Sequence, residues 1–298
     1  MNLDKIKEKA CELGFKYMEN KPMSAHTTFR IGGPAELFVE CNDISKIGEI
    51  LAVIKAQNIP LTVLGKGSNL LVSDNGLKGV VLYICDDNVS VDGNIIRANA
   101  GAKLSSVCNA ARDYSLSGLE FAFGIPGSVG GAVYMNAGAY GGEIKQCIVS
   151  CVSITLDGEI KCRNTEELEL GYRTSVFKKN NEIILSAEFI LQRDEKTEIQ
   201  AKMDDFLGRR KDKQPLEYPS AGSTFKRPEG YFAGALIEQS NLKGFSVGGA
   251  QVSQKHAGFV INKNNATCND VLNLIKHVQS TVKSNFGVDL ETEVIYLE

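Results

Sequence analysis

The stretch Gly118–Gly142, GLEFAFGIPGSVGGAVYMNAGAYGG, differs sharply in composition from the rest of the chain. Glycine and alanine dominate it, so its side chains have too little volume to form an ordinary core layer. Small residues allow the backbone to approach either a second backbone or a ligand closely. On composition alone, both interpretations are open for this stretch.

A second glycine-rich segment, Gly65–Asn69 (GKGSN), lies between two apolar runs that predict strands, Leu61–Leu64 and Leu70–Ser73. Successive N–H groups in such a loop can form a nest that binds an anion. The segment matches neither the Walker nor the GxGxxG pattern, and a tight turn between strands is the alternative interpretation. Two glycine-rich loops in one lobe favour a long dinucleotide, with one loop at its diphosphate and the other beside a flat ring.

Length and composition are those of an ordinary folded protein. The chain has 298 residues, of which 43% are hydrophobic and 23% charged. Because a domain contains about 150 residues, we expect two domains. The composition excludes a disordered or fibrous protein, and the net charge of −3 gives no electrostatic basis for binding nucleic acid.

Cysteine and histidine usage argues against disulfide and metal chemistry. The eight cysteines are scattered, without a CxxC pair, and we expect them to be reduced thiols of a cytoplasmic protein. The three histidines, His26, His256 and His277, are too widely separated to predict a zinc site or a catalytic triad. No apolar run approaches the roughly 18 residues of a membrane span, and the charged N-terminal residues do not resemble a signal peptide.

The spacing of apolar residues predicts an α+β protein, because strands and helices do not alternate regularly enough for a doubly wound sheet. A capping box at Thr267–Asp270 opens the last predicted helix, and the last strand is expected at Glu291–Leu297. We place the domain boundary near residue 200, which divides the chain into lobes 1–200 and 201–298. The first lobe is expected to begin with a short amphipathic helix on which Leu3, Ile6, Ala10 and Leu13 share one face, and a second helix follows Asp43. The later predicted helices lie at 103–115, 195–212, 231–240 and 268–285.

Three polar side chains stand out against their surroundings. Arg173 lies in a polar and aromatic cluster, Ser223 lies on a loop beside Gly222, and Glu293 lies in the predicted last strand. Taken singly, each has an ordinary explanation: an ion-paired arginine, a serine in a turn and a glutamate that faces solvent. No single one of them predicts an enzyme.

Taken together and in order, six motifs resemble the UDP-N-acetylenolpyruvoylglucosamine reductase (MurB) family, flavoenzymes of bacterial peptidoglycan synthesis. The resemblance runs from about residue 23 to the C-terminus. The short link from Phe177 to Ile183 leaves no room for the tyrosine-bearing insertion of the longer type I members, so the chain resembles type II. The motifs are Thr28–Gly33 (TFRIGG), Gly65–Leu70 (GKGSNL), Gly124–Gly127 through Asn136–Gly141 (GIPG, NAGAYG), Gly171–Arg173 (GYR), Ala221–Lys226 (AGSTFK) and Leu290–Val294 (LETEV).

The resemblance implies both the fold and the cofactor. Members bind FAD in a lobe of the vanillyl-alcohol-oxidase (PCMH) type, which a smaller α+β substrate-binding lobe follows. Such a fold accounts for two glycine-rich loops without a GxGxxG fingerprint. The positions that match the FAD contacts of the family are Arg30, Gly65, Lys66, Gly67, Ser68, Asn69, Leu70, Ile125, Pro126, Gly130, Gly131, Ala132 and Gly138.

The implied activity is that of an NADP-dependent UDP-N-acetylmuramate dehydrogenase. NADPH reduces the flavin and leaves, and hydride then passes from flavin N5 to the β-carbon of the enolpyruvyl sugar nucleotide. Arg173 and Glu293 match the positions that stabilise the negative charge at the α-carbon and its carboxylate, and Ser223 matches the proton donor to the α-carbon. An ionised carboxylate would oppose this charge, so we expect Glu293 to be protonated in the reactive complex.

The implied substrate carries a diphosphate and a carboxylate, and it therefore needs cations in the second lobe. We expect Lys226 also to make the Ser223 hydroxyl easier to deprotonate. At Arg227 the sequence departs from the asparagine of longer members. The positions that match substrate contacts are Tyr140, Arg210, Lys213, Lys226 and His256.

Two other classes of function are open at this point. A flavin oxidase, or the FAD subunit of a molybdenum dehydrogenase, would leave the Ser223 and Glu293 motifs without a purpose. A non-catalytic nucleotide-binding protein would not need all three predicted catalytic residues. We therefore expect a cytoplasmic enzyme with NADPH and a UDP-sugar as its partners, without nucleic-acid, membrane or metal partners, and we favour a monomer.

Overall fold

Helices and strands are mixed along the whole chain in the computed structural model, which describes residues 3–298. This mixture confirms the predicted α+β class. The helices are α1 (Asp4–Leu13), α2 (Ile47–Ala56), α3 (Leu104–Asp113), α4 (Val129–Tyr134), α5 (Phe177–Asn180), α6 (Lys196–Lys213), α7 (Ala233–Gln239) and α8 (Cys268–Phe286).

Most strands are short. They are β1 (Lys16–Pro22), β2 (Pro34–Cys41), β3 (Leu61–Leu64), β4 (Leu70–Val72), β5 (Leu77–Ile84), β6 (Val89–Asp92), β7 (Ile95–Asn99), β8 (Leu116–Ser117), β9 (Gly138–Ala139), β10 (Gly142–Glu143), β11 (Ile148–Ile154), β12 (Ile160–Asn164), β13 (Ile183–Ile190), β14 (Gln192–Arg193), β15 (Ser246–Val247), β16 (Ala250–Val252), β17 (Val260–Asn262) and β18 (Ile295–Leu297).

Where helical spacing coincides with a capping signal, the predicted helix is confirmed. Before α8, the Thr267 hydroxyl accepts the N–H of Asp270, and the Asp270 carboxylate accepts the N–H of Thr267. These two bonds satisfy N–H groups that a helix start would otherwise leave unpaired. The helix ends at Gly287, whose φ of +71° is one that L residues rarely adopt.

Three elements differ from the sequence prediction. Val129–Tyr134 of the glycine-rich stretch is helical, and Lys16–Pro22 forms a strand that the apolar pattern did not predict. The last strand is confined to Ile295–Leu297, so Glu293 precedes this strand instead of lying in it. The reason is that Glu293 belongs to a separate pairing, a β-bridge region beside the Ser223 loop.

The chain divides into two compact units, and each is made of several segments. The first contains the described residues up to Glu19, Leu37–Lys66 and Gly79–Arg209, and the second contains Asn20–Glu36, Gly67–Lys78 and Arg210–Glu298. A single boundary near residue 200 puts the segments Asn20–Glu36 and Gly67–Lys78 in the first lobe, whereas their contacts are with the C-terminal residues. Local spacing cannot reveal such contacts because the partners are far apart in sequence.

The first unit contains a five-stranded antiparallel sheet in the order β12-β11-β13-β7-β6, which α3 and α4 contact. A second sheet has the order β1-β2-β5-β3, in which β3 and β5 are parallel and Leu64 faces Tyr83. The hydrophobic core of this unit includes Ile50, Val107 and Phe189, none more than 1% exposed. The sheet and these helices position the glycine-rich stretch.

In the second unit, α8 contacts α7 and the strands β15 and β16 of a three-stranded sheet. A separate parallel pair joins β4 to β18, with Leu70 opposite Ile295. Phe29, Leu71 and Val278 lie in the core of this unit. The parallel pair is the element that brings residues after the GKGSN loop next to the C-terminal residues.

Three further properties of the described residues concern membrane spans, metal ligands and thiols. No helix in residues 3–298 is long and apolar enough to span a membrane. Within the same range, His, Cys, Asp and Glu side chains form no group of three or more that could hold a metal ion. The eight cysteines are free thiols, and five of them are buried.

Candidate functional site

The glycine-rich stretch folds into α4, which the hairpin β9–β10 follows. Ser128 caps α4, because its hydroxyl accepts the N–H of Gly131 at 3.4 Å. The N–H of Gly130 donates to the Ala100 carbonyl at 2.9 Å, and a Cβ atom at Gly130 would lie 3.0 Å from the Cβ of Ala100. Close packing within the protein therefore explains Gly130.

Gly131 has no such explanation. It is exposed on α4, and the nearest atom that a Cβ would meet outside the helix backbone is the Ser128 Oγ, at an ordinary 3.6 Å. Glycine inside a helix costs about 1 kcal/mol relative to alanine, and no described residue requires it here. A flat group that approaches this backbone from outside would require it, so the position fits a flavin ring.

The GKGSN loop contains a glycine that the fold requires and two N–H groups that are suited to bind an anion. Gly67 has a φ of +62°, and a Cβ there would lie 2.0 Å from the carbonyl oxygen of His26, so the fold itself requires glycine. The N–H groups of Gly67 and Ser68 donate to no other residue in the described part of the chain. Adjacent donors of this kind fit an anion such as a diphosphate.

The other predicted FAD contacts lie in varied environments. Lys66 donates to the Tyr83 hydroxyl at 2.8 Å. Packing explains two residues: Ala132 is 3% exposed, and a Cβ at Gly138 would lie 2.8 Å from the Gly142 carbonyl oxygen. The rest occupy half-buried or exposed positions: Arg30, Gly65, Asn69, Leu70, Ile125 and Pro126.

Arg173 lies in a four-residue turn, Gly171–Thr174, whose end residues exchange two backbone hydrogen bonds of 3.2 and 3.3 Å. Its φ of +53° is left-handed, which is uncommon for arginine. The guanidinium donates to the Gly138 carbonyl at 3.2 Å and lies 5.3 Å from the centroid of the Tyr172 ring. The first unit thus brings the predicted catalytic arginine into contact with a predicted FAD residue.

Ser223 and Glu293 lie on two neighbouring segments of the second unit. The N–H of Glu293 donates to the Thr224 carbonyl at 2.8 Å, and Phe225 faces Thr292 in a β-bridge. Ser223 is exposed and Thr224 is fully buried. Backbone pairing therefore puts Glu293 opposite the residue that follows Ser223.

Within the second unit, the end of the GKGSN loop bonds directly to the Glu293 segment. It is connected to the Ser223 segment through Thr28, whose hydroxyl is also within 3.3 Å of the Ser68 carbonyl. The Asn69 amide donates to the Glu293 carbonyl at 3.0 Å, and the N–H of Ile295 donates to the Asn69 carbonyl at 2.9 Å. The Thr28 hydroxyl donates to the Ser220 carbonyl at 2.7 Å. A predicted cofactor loop and two predicted catalytic residues consequently share one hydrogen-bonded framework.

Among the predicted substrate residues, Tyr140 belongs to the first unit. The others belong to the second unit: Arg210, Lys213, Lys226 and His256. Tyr140 stacks on Phe206 in the first unit, with ring centroids 5.0 Å apart and planes 3° apart. Arg210 and Lys213 lie in the last turn of α6. The Lys226 ammonium pairs with the Glu291 carboxylate, which does not support the expected effect of Lys226 on the Ser223 hydroxyl.

His256 is half-buried and acts as an acceptor. Its Nδ1 accepts the N–H of Gly258 at 3.1 Å, and its ring meets Phe259 edge-on at 4.9 Å between centroids. Burial lowers the pKa of His256, which favours the neutral imidazole. Because Nδ1 accepts a hydrogen bond, the proton of the neutral ring is assigned to Nε2, which is then a donor.

Backbone strain is concentrated at predicted site residues. Arg30, Tyr140 and Arg173 have φ values of +54°, +54° and +53°. Among the described residues that are neither glycine nor asparagine, only Ser115 and Glu169 also have positive φ. Such strain persists where the surrounding structure imposes it, often at functional sites.

Three further residues of the site were not predicted. The Thr28 hydroxyl bonds the segment that contains Ser223, and the buried Asn136 amide bonds the turn that contains Arg173. The Phe206 ring stacks on the Tyr140 ring. Thr28 and Asn136 stand within quoted motifs, which was the available signal. Phe206 lies in the predicted helix 195–212, and its ring contact depends on the folded chain.

Comparisons with known proteins identify the family of this chain. Residues 35–163 match the family model of the FAD binding domain, and residues 214–297 match that of the UDP-N-acetylenolpyruvoylglucosamine reductase C-terminal domain. A UDP-N-acetylenolpyruvoylglucosamine reductase from Agathobacter rectalis is 52% identical, over 97% of this chain and 96% of that protein. One from Lachnoclostridium phytofermentans is also 52% identical, over 92% and 91%.

A solved structure is similar over nearly the whole chain. The crystal structure of UDP-N-acetylenolpyruvylglucosamine reductase (MurB) from Thermus caldophilus has a TM-score of 0.82 and 32% identity, and the match covers 95% of this chain and 99% of that one. The fold and the matched domains define the class: a flavoprotein with an FAD-binding lobe of the vanillyl-alcohol-oxidase type and a smaller α+β lobe. The chain belongs to the UDP-N-acetylenolpyruvoylglucosamine reductase family, as the motifs predicted.

Proposed function

We propose that this chain reduces UDP-N-acetylglucosamine enolpyruvate to UDP-N-acetylmuramate, with FAD as its bound cofactor and NADPH as the reductant. Family membership supports the reaction, and the FAD binding domain supports the cofactor. The product is a precursor of peptidoglycan. The observation that carries the residue assignment is the backbone pairing that puts Glu293 beside the Ser223 segment.

The residues suited to hold FAD act through their backbone. The N–H groups of Gly67 and Ser68, which donate to no residue among those the structure describes, would bind the diphosphate. The open face of Gly131 would allow a flat ring to lie against α4. When bound, FAD supplies the hydride that it has received from NADPH. Side chains of this chain would stabilise the developing charge and donate the proton.

Arg173 would stabilise the charge that develops on the substrate. Addition of hydride to the β-carbon leaves an electron pair at the α-carbon, which is conjugated with the neighbouring carboxylate. A guanidinium stays charged and pairs with a carboxylate through two parallel hydrogen bonds. Because a guanidinium has five N–H donors, the bond from Arg173 to Gly138 is compatible with such a pair.

Ser223 would complete the reaction by donating its hydroxyl proton to the α-carbon. The proton forms the new C–H bond, and the serine oxygen is left to regain a proton from a neighbouring group or water. A protonated Glu293 beside this segment would donate a hydrogen bond to the anionic intermediate. An ionised Glu293 would instead repel it.

The substrate anchors would be cations and polar rings. Arg210, Lys213 and Lys226 carry the charges suited to a diphosphate and a carboxylate, and the Nε2 of His256 is a neutral donor. Tyr140 has an exposed ring, and the stacking on Phe206 holds this ring in one orientation. These assignments rest on the motif matches and on the chemistry of each side chain.

Four measurements on the purified protein test the proposed function. It should be yellow, release FAD on denaturation, and oxidise NADPH at a substantial rate only when the enolpyruvyl sugar nucleotide is added. The product should be UDP-N-acetylmuramate by mass spectrometry. Flavin reduction by NADPH without product formation would overturn the reductase activity and leave the flavoprotein fold intact.

We also propose that the enzyme acts in the cytoplasm as a monomer. The free, mostly buried thiols are consistent with a reducing compartment. Cell fractionation and the molar mass by light scattering test these two points. A defined dimer in solution would contradict the second of them.

A further inference from the structure

We propose that Asn136 is a positioning residue for Arg173, and that its buried side-chain amide holds the arginine turn in the geometry needed for reduction of the enolpyruvyl substrate. This inference rests on the proposed function. Asn136 is completely buried, yet it is polar, and it lies in the middle of the small-residue stretch. A buried amide is costly unless all of its groups are paired.

The Asn136 side chain bonds two other segments, both in the first unit. Its Nδ2 donates to the Gly171 carbonyl at 2.9 Å and to a Glu143 carboxylate oxygen at 3.0 Å. Its Oδ1 accepts the N–H of Lys145 at 3.0 Å, which also assigns the orientation of the amide. The amide thus connects the end of α4, the β9–β10 hairpin and the turn that carries Arg173.

The Arg173 turn lies between β12 and α5, outside the helices and strands. The backbones of Gly171 and Thr174 bond to each other across the turn, and the Gly171 carbonyl also accepts the Asn136 amide. Arg173 itself is in the left-handed region. The next residue but one, Ser175, is buried and donates to the Tyr134 carbonyl at 2.7 Å. Hydrogen bonds to one short stretch, residues 134–136, therefore hold both the first residue of this turn and the residue that follows it.

The arginine side chain reaches back to the same stretch. Its Nη2 donates to the Gly138 carbonyl, two residues after Asn136. Asn136 and Gly138 therefore fix the backbone and the guanidinium of Arg173 relative to one rigid element. A shift of the turn would move the guanidinium away from its position, and a misplacement of about 1 Å can reduce a rate roughly 100-fold.

The decisive variant is Asn136→Asp, which keeps the size and tolerates a positive φ. Its carboxylate would face the Glu143 carboxylate and the Gly171 carbonyl, so the two donated hydrogen bonds become repulsive. In the FAD-loaded protein we expect flavin reduction by NADPH within about threefold of wild type, and reoxidation by the enolpyruvyl substrate about 10- to 100-fold slower. Stopped-flow absorbance of the flavin measures the two half-reactions separately.

A double-mutant cycle with Arg173→Ala tests whether Asn136 acts through the arginine. If it does, Asn136→Asp should slow reoxidation by less than twofold in the Arg173→Ala background. An equal, multiplicative loss in both backgrounds would overturn the proposal, because it would mean that Asn136 affects the reaction independently of Arg173.

A double variant separates an effect of Asn136 on stability from an effect on the position of Arg173. Asn136→Asp combined with Glu143→Gln removes the repulsion between carboxylates but leaves Gly171 without its amide donor. We expect the melting temperature to recover while reoxidation stays slow. Recovery of both together would show a merely structural role and would refute the inference.

A matched control and an alternative variant complete the test. Asn99→Asp makes the same exchange in the same unit, because the Asn99 amide donates to the Asp86 carboxylate at 2.8 Å, and it should lower the melting temperature but leave both half-reactions unchanged. If Asn136→Asp does not fold, Asn136→Gly removes the amide without adding charge or backbone strain, and it should show the same selective slowing. A wild-type protein that does not reduce the substrate at all would refute the proposed function itself.

Discussion

The predicted catalytic residues are held in two different ways in the two units. Arg173 lies on a strained turn that side-chain hydrogen bonds from Asn136 and Ser175 attach to the glycine-rich stretch. Ser223 and Glu293 lie on segments that backbone hydrogen bonds join directly. A single side-chain replacement can release the turn, whereas it leaves the backbone pairing in place.

This difference matters for how function depends on sequence. Backbone pairing is insensitive to side-chain identity, so the second unit can keep its geometry while neighbouring side chains vary. The arginine turn depends on particular polar groups buried among small residues. We therefore expect substitutions around Arg173 to reduce the rate more than their effect on stability suggests, and substitutions around Ser223 to show the opposite.

The largest effect should come from Ser223→Ala. Loss of a general acid typically costs about 10²- to 10⁴-fold in rate, so turnover should fall by this factor while NADPH still reduces the flavin. Steady-state product formation and the flavin absorbance measure the two parts. Ser220→Ala in the same loop is the control, because the fold uses the carbonyl of Ser220; near-normal turnover of Ser223→Ala would mean that the proton has another source.

Arg173→Lys should have the next largest effect. A lysine keeps the charge but cannot form the bidentate pair, and a hydrogen bond to a charged group contributes about 1.5–3 kcal/mol. Because 1.36 kcal/mol corresponds to a factor of ten, we expect reoxidation of the flavin by the substrate to slow roughly 10- to 100-fold. Arg97→Lys, at an exposed pair with Glu188, should leave the rate unchanged. Equal slowing in both variants would contradict the role of the bidentate pair made by the Arg173 guanidinium.

Thr224→Val tests whether a substitution beside Ser223 lowers the stability of the protein more than its turnover. The buried Thr224 hydroxyl accepts the N–H of Val260 at 3.0 Å, and valine would leave that donor unpaired. We expect the free energy of unfolding to fall by about 1–3 kcal/mol, with turnover within a few-fold of wild type because the backbone bond from Glu293 remains. Urea unfolding and steady-state kinetics measure these quantities, and a selective loss of turnover would break the comparison.

The smallest effect should be a pH dependence of stability from His256. Burial lowers the pKa of its imidazole in the folded state below the usual 6.5. The unfolded chain then binds the proton more readily, so the contribution of His256 is complete above about pH 6.5 and is lost as the pH falls below it. His256→Gln should flatten the stability curve in that acidic range, and an unchanged slope would refute this assignment.

Local pattern predicted much of this protein because many of its signals are local. Helices α6 and α8 and the strands β3 and β4 follow from apolar spacing and capping residues, and the family follows from short motifs in order. The helix α4 was not predicted because glycine has a low helix propensity. Tertiary contacts overcome that preference, through the Ser128 cap and the bond from Gly130 to Ala100.

The sequence by itself determined which side chains are available for the chemistry: Arg173, Ser223, Glu293 and the two glycine-rich loops. Only the tertiary structure decided that Asn20–Glu36 and Gly67–Lys78 pack with the C-terminal residues, that Asn136 holds the arginine turn, and that Lys226 pairs with Glu291. The physical reason is range. Spacing and capping act over a few residues, whereas these contacts join groups that lie far apart along the chain and meet only once it has folded.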